Sequence, residues 1–311
     1  VLTSLSDTAT RVETANTTSC PVCDGPSHRL FQRHGFWIQE CRSCSHRFAR
    51  PDDADRHVAT VYGDDYFFGG GAGYENYLSE ADLLRAHGRR YGKLLKRWMS
   101  AGRMLDVGAA AGFVLRGFHD EGWSGEGVEP NAAMARYARE TLGMHVSAGS
   151  LEDFQPADGN AGGFDLVSLI QVIGHFIEPR DALANVERLT RPGGYCLIES
   201  WNVQSWSARL FGENWHEYSP PSVLHWFSPR TLNALMAPFG FEPVAQGRPQ
   251  KWLNVGHARS LLAHKADASL IAKLARTTFR CLPASLNLPY PSEDLFWTLY
   301  RKAPATSEES R

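Results

Sequence analysis

Two groups of residues in this chain have types and spacings that could do chemistry. The first is a pair of C-x2-C steps, Cys20 with Cys23 and Cys41 with Cys44, separated by seventeen residues. Each step can present two thiolates from one tight turn, and two such turns complete the tetrahedral shell that zinc prefers. Iron in a rubredoxin-like setting would use similar turns, but nothing in the chain suggests electron transfer. Four thiolates leave no open coordination position, so the expected role of the zinc is structural. The glycine that commonly follows the second cysteine of such a turn is replaced here by Asp24 and Ser45. The second group lies between Met104 and Glu129. An apolar run carries Asp106, and a turn of small residues, Gly108, Ala110 and Gly112, leads into a helical pattern. Small side chains let a ligand lie against the backbone, and glycine adopts positive φ where the chain reverses. Glu129 follows about 20 residues after the turn, at the tip of the next predicted strand, where a carboxylate can accept hydrogen bonds from both hydroxyls of a ribose.

These residues need a frame to hold them. Leu83, Leu84, Tyr91, Leu94, Leu95 and Trp98 recur at threes and fours and predict a helix over 79–99. Its other face carries Arg85, Arg89, Arg90, Lys93, Lys96 and Arg97, the pattern of a solvated helix surface. Strands are expected at 103–107, 125–128, 145–148, 164–171, 195–201, 241–246 and 295–301, with helices at 113–121, 132–142, 180–190 and 229–239 between them. Strands alternating with helices call for an α/β fold, a mostly parallel sheet covered on both faces. The expected organisation is a disordered N-terminus over 1–19, a zinc-binding knuckle over 20–50 and a glycine- and aromatic-rich linker or lid over 51–78. A catalytic domain follows over 79–303, with a helical insert at about 258–280, and a disordered tail over 304–311.

The dinucleotide fingerprint G-x-G-x-x-G spaces its last glycine by three. Here the small residues alternate as G-x-A-x-G after Asp106, and this resembles the class I S-adenosylmethionine-dependent methyltransferases. The run from Phe164 to His175 is similar to that family's fourth strand and following loop. The run from Leu189 to Glu199 is similar to the lead into its fifth strand. The resemblance spans residues 80–303 and implies a Rossmann-like, seven-stranded, mostly parallel sheet carrying the N-terminal zinc knuckle. It implies S-adenosylmethionine as cofactor, held by Asp106, Gly108, Ala110, Gly112 and Glu129, with Ser150, Leu151 and Glu152 at the adenine and Gln171 beside them. Many relatives have His where Gln171 stands and Glu where Gly174 stands, so His175 lacks a familiar partner.

The stretch from Trp201 to Ser228 is dense in Trp, Tyr and His, and an irregular loop of that length is uncommon unless functional. It contributes His216, Glu217, Tyr218 and His225 as candidates. His175, His225 and Tyr218 are the catalytic candidates for taking a proton from the acceptor. A net charge of −2 and a pI of about 6.7 give no support to a polyanion-binding surface. The expected acceptor is therefore a small molecule, as in the sugar C-methyltransferases of antibiotic pathways that the knuckle and domain resemble, with C- or O-methylation open. The competing reading is an RNA methyltransferase with an N-terminal zinc finger. No apolar run approaches the ~18–20 residues of a membrane span. No signal-peptide pattern is seen either, so a cytoplasmic location without membrane partners is expected, with oligomeric state open.

Overall fold

The computed structural model describes residues 18–51, 57, 61, 63, 67, 77–159, 163–255, 283, 286–290 and 292–304. The predicted helical insert, most of the 51–78 linker and nearly all of both termini lie outside the described residues. In chain order the strands are β1 (Ser27–Arg33), β2 (Phe36–Cys41), β3 (Arg47–Phe48), β4 (Arg103–Val107), β5 (Ser124–Glu129), β6 (Val146–Ala148), β7 (Phe164–Ile170) and β8 (Thr190–Trp201). They continue with β9 (His225–Trp226), β10 (Phe241–Gly247), β11 (Lys251–Asn254), β12 (Asn287–Tyr290) and β13 (Leu295–Lys302). The helices are α1 (Ala81–Leu95), α2 (Phe113–His119), α3 (Ala132–Leu142), α4 (Pro179–Leu189), α5 (Trp206–Phe211) and α6 (Pro229–Met236).

Seven strands form one sheet in the order β10-β13-β8-β7-β4-β5-β6. The pairings among β4, β5, β6, β7 and β8 are parallel, and β13 runs antiparallel to both of its neighbours. This is the expected Rossmann-like architecture. Its central strands are buried on both faces, with Leu105, Val167, Leu169 and Ile198 in one core cluster and Met104, Leu166 and Leu197 in the other. That is why β7 reads as a mostly apolar run, broken by Asp165 and Ser168, rather than an alternation. Helix α1 crosses α2 at very close range: a side chain at Gly88 would strike the carbonyl of Val114, and one at Gly117 the carbonyl of Arg85. This approach brings the inner face of α1 down onto the end of β8. Most of its basic outer face is spent on ion pairs, Arg85 with Asp120 and Arg89, Lys93 and Lys96 with Glu121.

A second sheet, in the order β1-β2-β3-β9, joins the cysteine-bearing hairpin to the loop that follows β8. Arg47 pairs with Trp226 and Phe48 with His225, and the Ala49 amide donates to Leu224 O at 2.8 Å. Arg180 of α4 donates to the carbonyls of Pro21 at 3.0 Å and Val22 at 2.7 Å. The knuckle thus shares its core with the catalytic domain, since Cys20, Val22, Cys41 and Phe48 pack in one cluster with Ile173 and Phe227. No helix among the described residues is long and apolar enough to cross a membrane.

Candidate active site and metal centre

The turn after β4 is built on three alternating left-handed residues: Gly108 at φ 67°, Ala110 at 46° and Gly112 at 79°. A side chain on Gly108 would sit 2.6 Å from Val172 Cγ2 as well as at an unfavourable φ. Ala110 accepts the left-handed conformation despite its methyl, a backbone cost of the kind that clusters at functional sites. What holds it there is Glu129. One carboxylate oxygen accepts the Ala110 amide at 2.9 Å, and the other accepts the Asn131 amide at 2.8 Å. Glu129 therefore ties the turn to the tip of β5 and retains lone pairs for a ligand. Burial pushes its carboxyl up to about 7 against the pull of those two amides. Burial also pushes Asp106 up to about 7, opposed by the Ser168 hydroxyl bond of 2.7 Å and reinforced by the nearby Glu129.

These groups open into a cavity of about 690 Å3. Asp106, Gly108, Ala110, Glu129, Ser150, Leu151, Glu152 and Gln171 all line it, while Gly112 caps the start of α2 behind the turn. A left-handed small-residue turn, a strand-tip carboxylate and a second buried carboxylate facing one cavity fit the methionine and ribose ends of S-adenosylmethionine. Gln171 also adopts a positive φ of 59°, and its side-chain amide donates to Glu199 at 2.8 Å.

The three catalytic candidates separate. His175 lines the cavity, with Nδ1 donating to Ser222 O at 2.7 Å; burial lowers its pKa, partly offset by backbone partners at Ser222 and Gln171. His225 does not reach the cavity: it is buried against the knuckle, 3.2 Å from His46 Nε2, and burial pushes it down to about 4. Tyr218 is equally remote, its hydroxyl accepting from Arg47 Nη1 at 2.6 Å, with Phe31 against its ring. The pairing of β3 with β9 sets both beside the knuckle and outside the cavity lining. Of the neighbouring candidates, Glu217 lines the cavity and is bonded to His216 at 2.7 Å.

Sequence reasoning passed over a second cluster at the cavity. Glu199, at the end of β8, is fully buried and accepts from Tyr91 Oη at 2.5 Å, His87 Nε2 at 2.8 Å and Gln171 Nε2 at 2.8 Å. Arg90 completes it, and both His87 and Arg90 line the cavity. The signal was present in the spacing. His87, Arg90 and Tyr91 stand at i, i+3 and i+4 on the helix face that also carries Leu83 and Leu84, so Arg90 does not belong with the solvated residues around it.

The four cysteines gather as the spacing implies. Their sulfurs lie within 4.8 Å of one another, with Cys20 and Cys44 at 3.7 Å and Cys23 and Cys41 at 3.5 Å. Bonds of ~2.3 Å to a tetrahedral zinc require sulfur separations of about 3.8 Å, so the donor set fits that ion. Amides of Val22, Ser43 and Cys44 point at the sulfurs of Cys20 and Cys41 at 3.3–3.4 Å. Asp24 at φ 60° and Ser45 at φ 63° adopt the left-handed conformation that a glycine would take after each second cysteine.

Comparison with known proteins agrees with this geometry. The family model described as a methyltransferase domain matches residues 77–246. An uncharacterized methyltransferase of Schizosaccharomyces pombe is 30% identical over 147 residues, covering 43% of this chain and 52% of its own length. A ubiquinone biosynthesis O-methyltransferase of Alkalilimnicola ehrlichii is 29% identical over 105 residues, covering 32% and 42%. The chain spans about half the length of these curated relatives. Among solved structures, a chain from a complex of a Haloferax volcanii methyltransferase with its activator superposes with a TM-score of 0.50 at 16% identity. It covers 77% of this chain and 97% of that one, a likeness of fold. The family match runs from the start of the first helical turn through β10, across the turn, Glu129 and the cavity they line, and the chain belongs to the methyltransferase domain family.

Proposed function

We propose that the protein transfers a methyl group from S-adenosylmethionine to a small organic acceptor. The observation that carries this reading is that one cavity is lined by Asp106, Gly108, Ala110 and Glu129 together with His175, Gln171 and Trp201. The cofactor, when bound, supplies an electrophilic methyl on a sulfonium, so the protein's task is alignment and the handling of one proton. Glu129 would accept the ribose hydroxyls and Asp106 would face the ammonium, with Ser150, Leu151 and Glu152 at the adenine. Of His175, His225 and Tyr218, His175 lines the cavity and would be the group to accept a proton from the acceptor. A volume of about 690 Å3 lies in the range of small-molecule pockets. The names of the relatives favour a hydroxyl as the acceptor atom.

The RNA reading has less support. Sequence-independent affinity for RNA needs several free Lys or Arg contacts to phosphate. Here Arg47 is paired with Glu40, Arg50 with Glu178, and most of the α1 basic face with Asp120 and Glu121. In the closed four-cysteine site, zinc would be structural, holding the hairpin that walls the loop after β8. The test is transfer of a labelled methyl group to a panel of phenols, sugars and organic acids beside total RNA. Label in a small product is expected; label in nucleotides, with tight salt-sensitive RNA binding, would overturn the reading.

A further inference from the structure

Arg90 is the only arginine or lysine among the described residues lining the cavity. Its Nη2 points at His87 Nδ1 at 3.3 Å, while Nε is closed off from solvent and has no hydrogen-bond partner among the described residues. A buried guanidinium N–H without an acceptor is costly, and a ligand oxygen would relieve it. The neighbouring residues account for how the group is aimed. Glu199 is an acceptor for His87 Nε2, so His87 carries its proton on that nitrogen and turns the lone pair of Nδ1 toward Arg90. Tyr91 and Gln171 also donate to Glu199, and among the described residues Arg90 forms no ion pair.

The other charged residues lining the cavity are acidic, Glu80, Glu152 and Asp181 among them. Asp106 and Glu129 belong to the cofactor end, Glu178 is bonded to Arg50 at 2.6 Å and Glu217 to His216 at 2.7 Å. Arg90, with the Glu199 carboxylate nearby, brings the cation to this lining, set beside the apolar surfaces of Leu83, Leu84, Trp201 and Val223 in the same cavity. We propose that the methyl acceptor bears an anionic oxygen group, a carboxylate or a phosphate, gripped by Arg90 while His87 and Glu199 hold the guanidinium in place. A planar guanidinium fork suits either group, and a mainly apolar body would fill the rest of the space. This rests on the methyltransferase reading above.

The test uses the full chain saturated with S-adenosylhomocysteine and titrated calorimetrically with benzoate, phenyl phosphate and benzyl alcohol. At least one anion should bind about tenfold or more tighter than the alcohol, roughly the worth of one charge-assisted hydrogen bond. The stronger of the two identifies the group. Arg90→Gln should abolish the preference and Arg90→Lys should keep part of it. For the positioning residue, His87→Gln should preserve the preference, because its amide can accept from Arg90 and donate to Glu199, whereas His87→Leu should lose it. S-adenosylhomocysteine affinity should be unchanged in all four variants. A protein that binds S-adenosylhomocysteine yet shows no preference for either anion overturns the proposal, as does an R90Q variant that retains it. The wild-type preference decides the matter should a variant fail to fold. Absence of S-adenosylhomocysteine binding in the wild type would strike the cofactor reading instead.

Discussion

Acidifying the solution from pH 8 to pH 6 should weaken cofactor binding steeply. The reason is that both carboxyls facing the cofactor end of the cavity titrate near 7 in the free protein. Asp106 is 3% exposed and Glu129 is 5% exposed, so little water stabilises their charges. The proposed binding mode calls for the ionised forms, Asp106 as partner to the ammonium and Glu129 as acceptor for the ribose hydroxyls. At pH 8 about nine-tenths of each group is ionised and at pH 6 about one-tenth. If both must ionise, the competent fraction falls about 100-fold, roughly 2.7 kcal/mol; if one suffices, about tenfold. Calorimetry with S-adenosylhomocysteine across this range, in buffers of different ionisation enthalpy, counts the protons released. Between one and two should leave per molecule bound at pH 6. Affinity that is flat with pH, or proton uptake on binding, would refute the reasoning. The free protein should show the opposite trend. A carboxyl whose folded pKa lies above its unfolded value contributes stability that is complete below pH 4 and lost as pH rises through 7. Each of the two is worth about 3–4 kcal/mol at most on that scale. Mild acidification should therefore raise the melting temperature of the free protein while shrinking the further rise caused by S-adenosylhomocysteine.

Replacing Glu129 by Ala removes the ribose acceptor and leaves the Ala110 and Asn131 amides unpaired, so S-adenosylhomocysteine affinity should fall by about 1.5–3 kcal/mol in calorimetry. Parent-like affinity would remove Glu129 from the site. Metal analysis of protein purified without added metal should find one zinc per chain, and folded protein with none would sink the metal assignment. Arg180→Ala, which frees the Pro21 and Val22 carbonyls, should speed zinc loss to a chelator several-fold without changing cofactor affinity. His175→Gln should lower kcat by about 100-fold or more if the imidazole takes the proton, with cofactor affinity retained; full activity would leave alignment alone as the mechanism.

The residues legible from sequence are those whose partners lie within one local unit. Glu129 meets Ala110 because a strand, a small-residue turn, a helix and a second strand leave their ends little freedom. The separation is nineteen residues in sequence and 2.9 Å in space. The four cysteines are likewise local, two turns on one hairpin, with Asp24 and Ser45 bending as glycine would. Periodicity was enough to place β4 and α3 to the residue and to show that β7 would be buried. The beginning of β8 at Thr190 was hidden by Pro192, Gly193 and Gly194, which read as a turn, although the chain already pairs with Phe164 there.

The rest depended on long-range packing. Glu199 meets Tyr91 and His87 across 108 and 112 positions, an encounter created by the close crossing of α1 and α2 and by the place of β8 in the sheet. Arg90 shares its basic neighbourhood with five solvated residues, and its spacing from His87 and Tyr91 gains meaning only when the packing of α1 turns that face inward. His225 and Tyr218 had the chemistry of a site, yet they were drawn into the core by two-residue strands too short to leave any pattern, β3 and β9. His46 and His225, 3.2 Å apart, are separated by 179 residues. Composition and spacing determine which chemistry a segment can offer and the local geometry that presents it. Which side chains face one another across the cavity depends on sheet order and helix rotation, which are settled by the burial of the whole core rather than by any one segment.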